Sequence, residues 1–158
     1  MVYWLMNFLI IAAFFAGMEG VAWLSHKYIM HGICWSLHQD HHHKTHDAHL
    51  ERNDFFFLIF AIPGIVCLLA GTAGHIPFCL FAGIGITLYG ACYFFIHDIF
   101  IHQRLKVLRH SQNRYLAGIR RAHKMHHKHT SKKNGECFGM LWVPRKYFLP
   151  AKNTDNLG

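Results

Sequence analysis

At 158 residues, 53% hydrophobic and only 15% charged, the chain has room for one domain and is too apolar for a disordered segment or an ordinary soluble domain. Its formal net charge of +8 is compatible with nucleic acid, an anionic bilayer or an acidic protein, and the placement of the cations has to decide among them. Sixteen histidines against 8 acidic residues is the second anomaly, because neutral imidazole is the commonest metal-ligating side chain. The five cysteines (Cys34, Cys67, Cys79, Cys92, Cys137) have no CxxC spacing and read as free thiols, with neither a disulfide nor a zinc knuckle.

Three apolar runs, residues 2–24, 55–73 and 76–96, reach the roughly 20 helical residues that a hydrocarbon core requires. The first has no basic leader and no small-residue cleavage site, so it is expected to remain as a span. Asn53 and Asp54 precede the second as a candidate N-cap, and Gly74-His75-Ile76-Pro77 is a turn between the second and third. The expected fold is therefore all-α: a polytopic membrane protein with three transmembrane helices, residues 1–158 forming a single membrane-embedded domain. All 16 basic residues lie within 25–54 or after Ile96, two segments that three spans place on one side. Retention of lysine and arginine makes that side the cytoplasm. The cations then belong to a membrane surface, and no nucleic-acid partner is expected.

Each basic segment carries HxxxxH followed by HxxHH: His26, His31, His38, His41 and His42 in the first, His97, His102, His123, His126 and His127 in the second. Within HxxHH, residues three or four apart share a helix face and can converge on an ion. Histidines five apart lie about 140° apart on an ideal helix, so His26 with His31, and His97 with His102, need either different metals or a distorted turn. Ten imidazoles are too many for one ion and suit a dinuclear site in a histidine-rich helical cap. His43, His46, His49, His75, His110 and His129 fall outside the repeated pattern and read as ordinary basic side chains. Imidazole alone leaves zinc, iron, copper and nickel open. A site beside membrane helices meets apolar molecules, which offer little to hydrolyse, and favours an iron pair that uses dioxygen on an unactivated C–H bond over redox-silent zinc.

Three carboxylates are candidates to orient ligands: Asp98 and Asp40, which adjoin histidines, and Glu19, seven residues before His26 in the first span. The span aromatics Phe14, Phe15, Trp23, Tyr89, Tyr93, Phe94 and Phe95 either line a slot for an elongated substrate or face lipid.

Over residues 17–144 the chain resembles the histidine-motif membrane hydroxylases of the fatty acid hydroxylase and sterol desaturase superfamily. More narrowly, it is similar to the bacterial β-carotene 3-hydroxylases. The resemblance rests on His26-Lys-Tyr-Ile-Met-His31-Gly32, His38-Gln-Asp-His41-His42, Asn53-Asp54, His97-Asp98-Ile-Phe-Ile-His102-Gln103-Arg104, Ala122-His123-Lys-Met-His126-His127 and Phe138-Gly139-Met-Leu. Ile99 and Phe100 depart from the family's usual Gly-Leu, and His43 and His46 are additional. The resemblance implies hydroxylation at C3 of β-ionone rings, from β-carotene through β-cryptoxanthin to zeaxanthin. It also implies two non-haem iron ions, dioxygen as co-substrate and electrons from reduced ferredoxin or a similar donor. The cluster Arg120, Arg121, Lys124, Lys128, Lys132 and Lys133 suits an acidic ferredoxin or anionic lipid. Alternatives are a hydroxylase of another lipid (a sterol, a fatty acyl chain or a ketocarotenoid) and a membrane metal transporter or sensor. Transport calls for ligands near the membrane midplane, whereas these patterns lie at the helix ends.

Overall fold

The computed structural model describes residues 2–43, 50–108 and 111–149, all helical or irregular with no strand among them. Helix α1 (Val2–Leu24) continues into a π-helix (Ser25–Ile33) and, after a break at Gly32, into α2 (Trp35–His42). A 3₁₀ turn (Arg52–Phe57) leads into α3 (Leu58–Thr72), and α4 (Pro77–Phe94) continues into a second π-helix (Phe95–Ile101). Helix α5 (Arg114–Lys128) and a final 3₁₀ turn (Arg145–Phe148) complete the described chain. Three helical stretches are long and apolar enough to cross a membrane: Val2–Ile33, Arg52–Thr72 and Pro77–Ile101.

Helix α4 packs against both α1 and α3 and is the centre of the bundle. Glycines permit the approach: a Cβ on Gly85 would fall 2.5 Å from the Ile11 carbonyl oxygen of α1, and one on Gly71 would overlap the backbone of Leu80. The bundle core is Met18, Ala22, Ile86 and Tyr89, while large side chains such as Trp4, Phe8, Val66 and Leu69 remain on the outer surface, as lipid contact allows. His75 turns the α3–α4 hairpin with a left-handed φ of 53°, and Pro77 begins α4 where its missing N–H costs nothing.

Helix α5 is not a span. Asn113 caps it by accepting the N–H groups of Tyr115 and Leu116 at 2.9 and 3.1 Å, and its apolar face, Ile119 and Ala122, closes on Ile96, Met140, Val143 and Tyr147. Two of the cations in the basic cluster are engaged in this packing. Arg120 lies over the Phe100 ring and donates to the Phe100 carbonyl, and Arg121 donates to the Tyr147 carbonyl. Lys124, Lys128, Lys132 and Lys133 are exposed.

Candidate metal centre

The ten patterned histidines meet at the end of the bundle, on the side where both π-helices leave the spans. One group is His26, His31, His38, His42 and His126, and a second is His41, His97, His102 and His123, with the ligand atoms of each group within 4.8 Å of one another. His127 joins the second group through its Nε2, 2.9 Å from that of His123. The groups are contiguous, with the His42 and His127 rings stacked at 4.3 Å across the seam.

The helix types explain the convergence. A π-helix bonds residue i to i+5, so its turn superposes histidines five apart that an α-helix would separate. His31 thereby shares a cluster with His26, and His102, whose N–H donates to the His97 carbonyl at 2.9 Å, shares one with His97. Of the two sequence alternatives for HxxxxH, the distorted turn is the one adopted. Within HxxHH it is the four-residue pair that converges: Nε2 to Nε2 is 3.1 Å for His38 and His42, and 2.9 Å for His123 and His127. The middle histidine of each triplet crosses to the other cluster. His41 faces His97 at 3.1 Å and His126 faces His31 at 3.1 Å. Each cluster therefore draws four imidazoles from one half of the chain and one from the other.

The tautomers are set by what lies behind the rings. Nδ1–H donates to the carbonyl of Phe138 from His26 (2.9 Å), of Thr130 from His31 (2.6 Å) and of Glu136 from His126 (3.0 Å). It donates to Asn53 Oδ1 from His38 (2.6 Å), to Glu51 from His41 (3.0 Å) and to Asp98 from His97 (3.2 Å). These oxygens only accept, so each Nδ1 keeps its proton and each Nε2 presents a bare lone pair. In the pairs His26–His38, His31–His126 and His41–His97, two such lone pairs face each other at 3.1 Å with no proton to share. A cation between them would convert that repulsion into coordination.

Burial keeps His38, His41, His123, His126 and His127 neutral. It pushes His38 and His126 down to about 3 and His127 down to about 4, with His41 and His123 also held well below the ordinary histidine range by burial and by neighbouring His97. The folded-state values lie below the unfolded value near 6.5. The metal-free fold is therefore fully stable above that pH and loses stability as pH falls from about 6.5 toward 4, where the unfolded chain takes protons that the fold refuses. Each such histidine costs up to about 1.4 kcal/mol per pH unit in that window. Melting of metal-stripped protein in detergent is expected to drop clearly between pH 7.5 and 5.5, and a flat profile would contradict this account.

Of the three candidate orienting carboxylates, Asp98 holds His97. Asp40 accepts the Arg52 backbone N–H at 2.7 Å and meets no histidine ring among the described residues, and Glu19 binds backbone instead, accepting the N–H groups of Met140, Leu141 and Trp142 at 2.9 Å and the Tyr89 hydroxyl at 2.5 Å. Asn53 and Asp54 do not cap α3 as a pair. Asp54 accepts the Glu51 N–H at 3.0 Å to begin the 3₁₀ turn, freeing Asn53 to orient His38. Glu51 is missing from the sequence reading, where the Glu51-x-x-Asp54 spacing is its available signal. Arg104, present in the His102-Gln103-Arg104 motif without an assigned role, pairs with Asp98 (3.1 Å) and Asp54 (2.5 Å). His43 is exposed, while His46, His49 and His110 lie outside the described residues.

A cavity of about 620 Å³ opens between α3 and α4 and ends at His97 of the second histidine cluster. Its walls include Met30, Phe56, Phe57, Phe60, Tyr93 and Phe94, and Asn53, His97, Asp98 and Arg104 lie among its lining residues. Of the aromatics considered from sequence, Tyr93 and Phe94 line it, whereas Phe15, Trp23 and Tyr89 border a separate groove beside Glu19.

The profile of the fatty acid hydroxylase family matches residues 11–143. A protein of Pantoea ananas named beta-carotene hydroxylase is 38% identical over 98% of this chain and 87% of its own length. One of that name from Paracoccus sp. (strain N81106 / MBIC 01143) is 34% identical over 87% of this chain and 85% of its own. The chloroplastic beta-carotene 3-hydroxylase 1 of Arabidopsis thaliana is 36% identical over 82% of this chain, which spans 42% of that protein. No solved structure gives a significant match.

Proposed function

Because this chain belongs to the fatty acid hydroxylase family, we propose that it inserts a hydroxyl at C3 of each β-ionone ring of a carotenoid, taking β-carotene through β-cryptoxanthin to zeaxanthin. Dioxygen is the co-substrate and two non-haem iron ions are the cofactor. The observation that carries the reading is an aromatic-walled cavity ending at His97 of a paired, ten-imidazole centre. The names of the relatives supply the substrate class.

His26, His31, His38, His42 and His126 would hold one ion, and His41, His97, His102, His123 and His127 the other. Iron would supply the redox chemistry that activates dioxygen, which redox-silent zinc does not offer. The chain does the rest. Phe56, Phe57, Phe60, Tyr93 and Phe94 take one ring end of the polyene from the bilayer and exclude water from it. Asn53, Glu51 and Asp98 hold the Nδ1 protons of His38, His41 and His97 so that their Nε2 lone pairs stay aimed inward.

In this reading residues 1–158 act as one membrane-embedded domain of the bacterial inner membrane with the histidine cap cytoplasmic. Lys124, Lys128, Lys132 and Lys133 remain exposed there for reduced ferredoxin or a similar acidic electron donor, or for anionic lipid. The test is pigment analysis by chromatography with mass detection in a β-carotene-producing bacterium expressing the chain. Zeaxanthin is expected. Well-expressed protein that leaves β-carotene untouched with a reductant supplied would overturn the carotenoid assignment, and a hydroxylated sterol or fatty acyl chain would replace it.

A further inference from the structure

The two clusters are matched in ligands and unmatched in what stands behind them. In the first, the Nδ1–H groups of His26, His31, His126 and His38 meet neutral oxygens: the carbonyls of Phe138, Thr130 and Glu136 and the side chain of Asn53. In the second, His41 and His97 rest on the carboxylates of Glu51 and Asp98 at 3.0 and 3.2 Å. Arg104 lies beyond both, 3.1 Å from Asp98, 3.6 Å from Glu51 and clamped on Asp54. Among the described residues this group, one guanidinium against three carboxylates, is net negative.

A carboxylate behind imidazole makes the far nitrogen a stronger donor, and its charge attracts a dication directly. We infer that the second cluster is the tighter of the two metal positions and fills first, with Glu51 and Asp98 as the positioning residues that impose the order. The inference rests on reading the clusters as a metal pair. It makes the better-held ion the one next to the cavity, because His97 lines that wall.

The test is equilibrium dialysis of full-length, chelator-stripped protein in detergent against buffered Co²⁺, counting cobalt per chain. Two steps are expected, separated at least tenfold in free Co²⁺. Glu51→Gln and Asp98→Asn keep an acceptor for the ring N–H and remove the charge, and each is expected to move only the tight step to 10- to 100-fold higher Co²⁺. Asn53→Asp puts a carboxylate behind His38 and is expected to draw the weak step toward the tight one. A single two-equivalent step, or a charge removal that shifts both steps alike, would overturn the proposal. Two ordered steps in a protein that forms no hydroxylated product would instead leave it standing and remove the hydroxylase reading.

Discussion

His126→Ala is expected to cut product formation at least about 100-fold and to lower bound metal from about two ions per chain to about one. His126 has no exposed surface, and its Nε2 sits 3.1 Å from that of His31 while its neighbours His123 and His127 serve the other cluster. Alanine removes one of five imidazoles from the first cluster, so the loss falls on that ion. His43→Ala is the control: this ring is exposed and belongs to neither cluster, and both activity and metal content are expected to hold. Metal analysis of the purified variants beside their pigment yield checks both parts, and full metal content in the His126 variant would contradict the cluster assignment.

Glu19→Ala is expected to destabilise the protein by about 3 kcal/mol or more, since three backbone N–H groups and the Tyr89 hydroxyl lose their shared acceptor. The damage is directional. The 140–142 backbone that Glu19 holds follows directly on Glu136 and Phe138, whose carbonyls orient His126 and His26. Metal in the first cluster should therefore be lost together with stability. Glu19→Gln keeps one acceptor oxygen and is expected to recover part of both. Denaturation in detergent with parallel metal counting distinguishes this from simple loosening, in which metal would leave both clusters equally.

Much of this centre is legible in the sequence because run length, charge placement and histidine spacing constrain it. Apolar run lengths and the one-sided distribution of cations are enough to bring both histidine segments to one end of three spans. The doubled HxxHH marks histidines that the fold brings together. The partition among clusters is harder to read. His41 and His42 point about 100° apart on their helix, so adjacent residues serve different centres, and nothing local says which goes where. HxxxxH required a π-turn, which sequence spacing offers only as one of two solutions. Least visible are the oxygens behind the rings: those of Phe138, Thr130 and Glu136 are main-chain carbonyls, which every residue possesses, and only the closed fold selects them.

The exchange of His41 and His126 also fixes when, during synthesis, the centre can exist. Chains emerge from the ribosome N-terminus first, so His26, His31, His38 and His42 are made long before α5 supplies His126. The second cluster has its early donor, His41, waiting for partners as late as His123 and His127. Neither pocket closes until translation has passed α5 and all three long apolar helices have been delivered to the bilayer. A prematurely terminated product lacking α5 completes neither pocket, so a nascent chain cannot assemble one finished metal site ahead of the other.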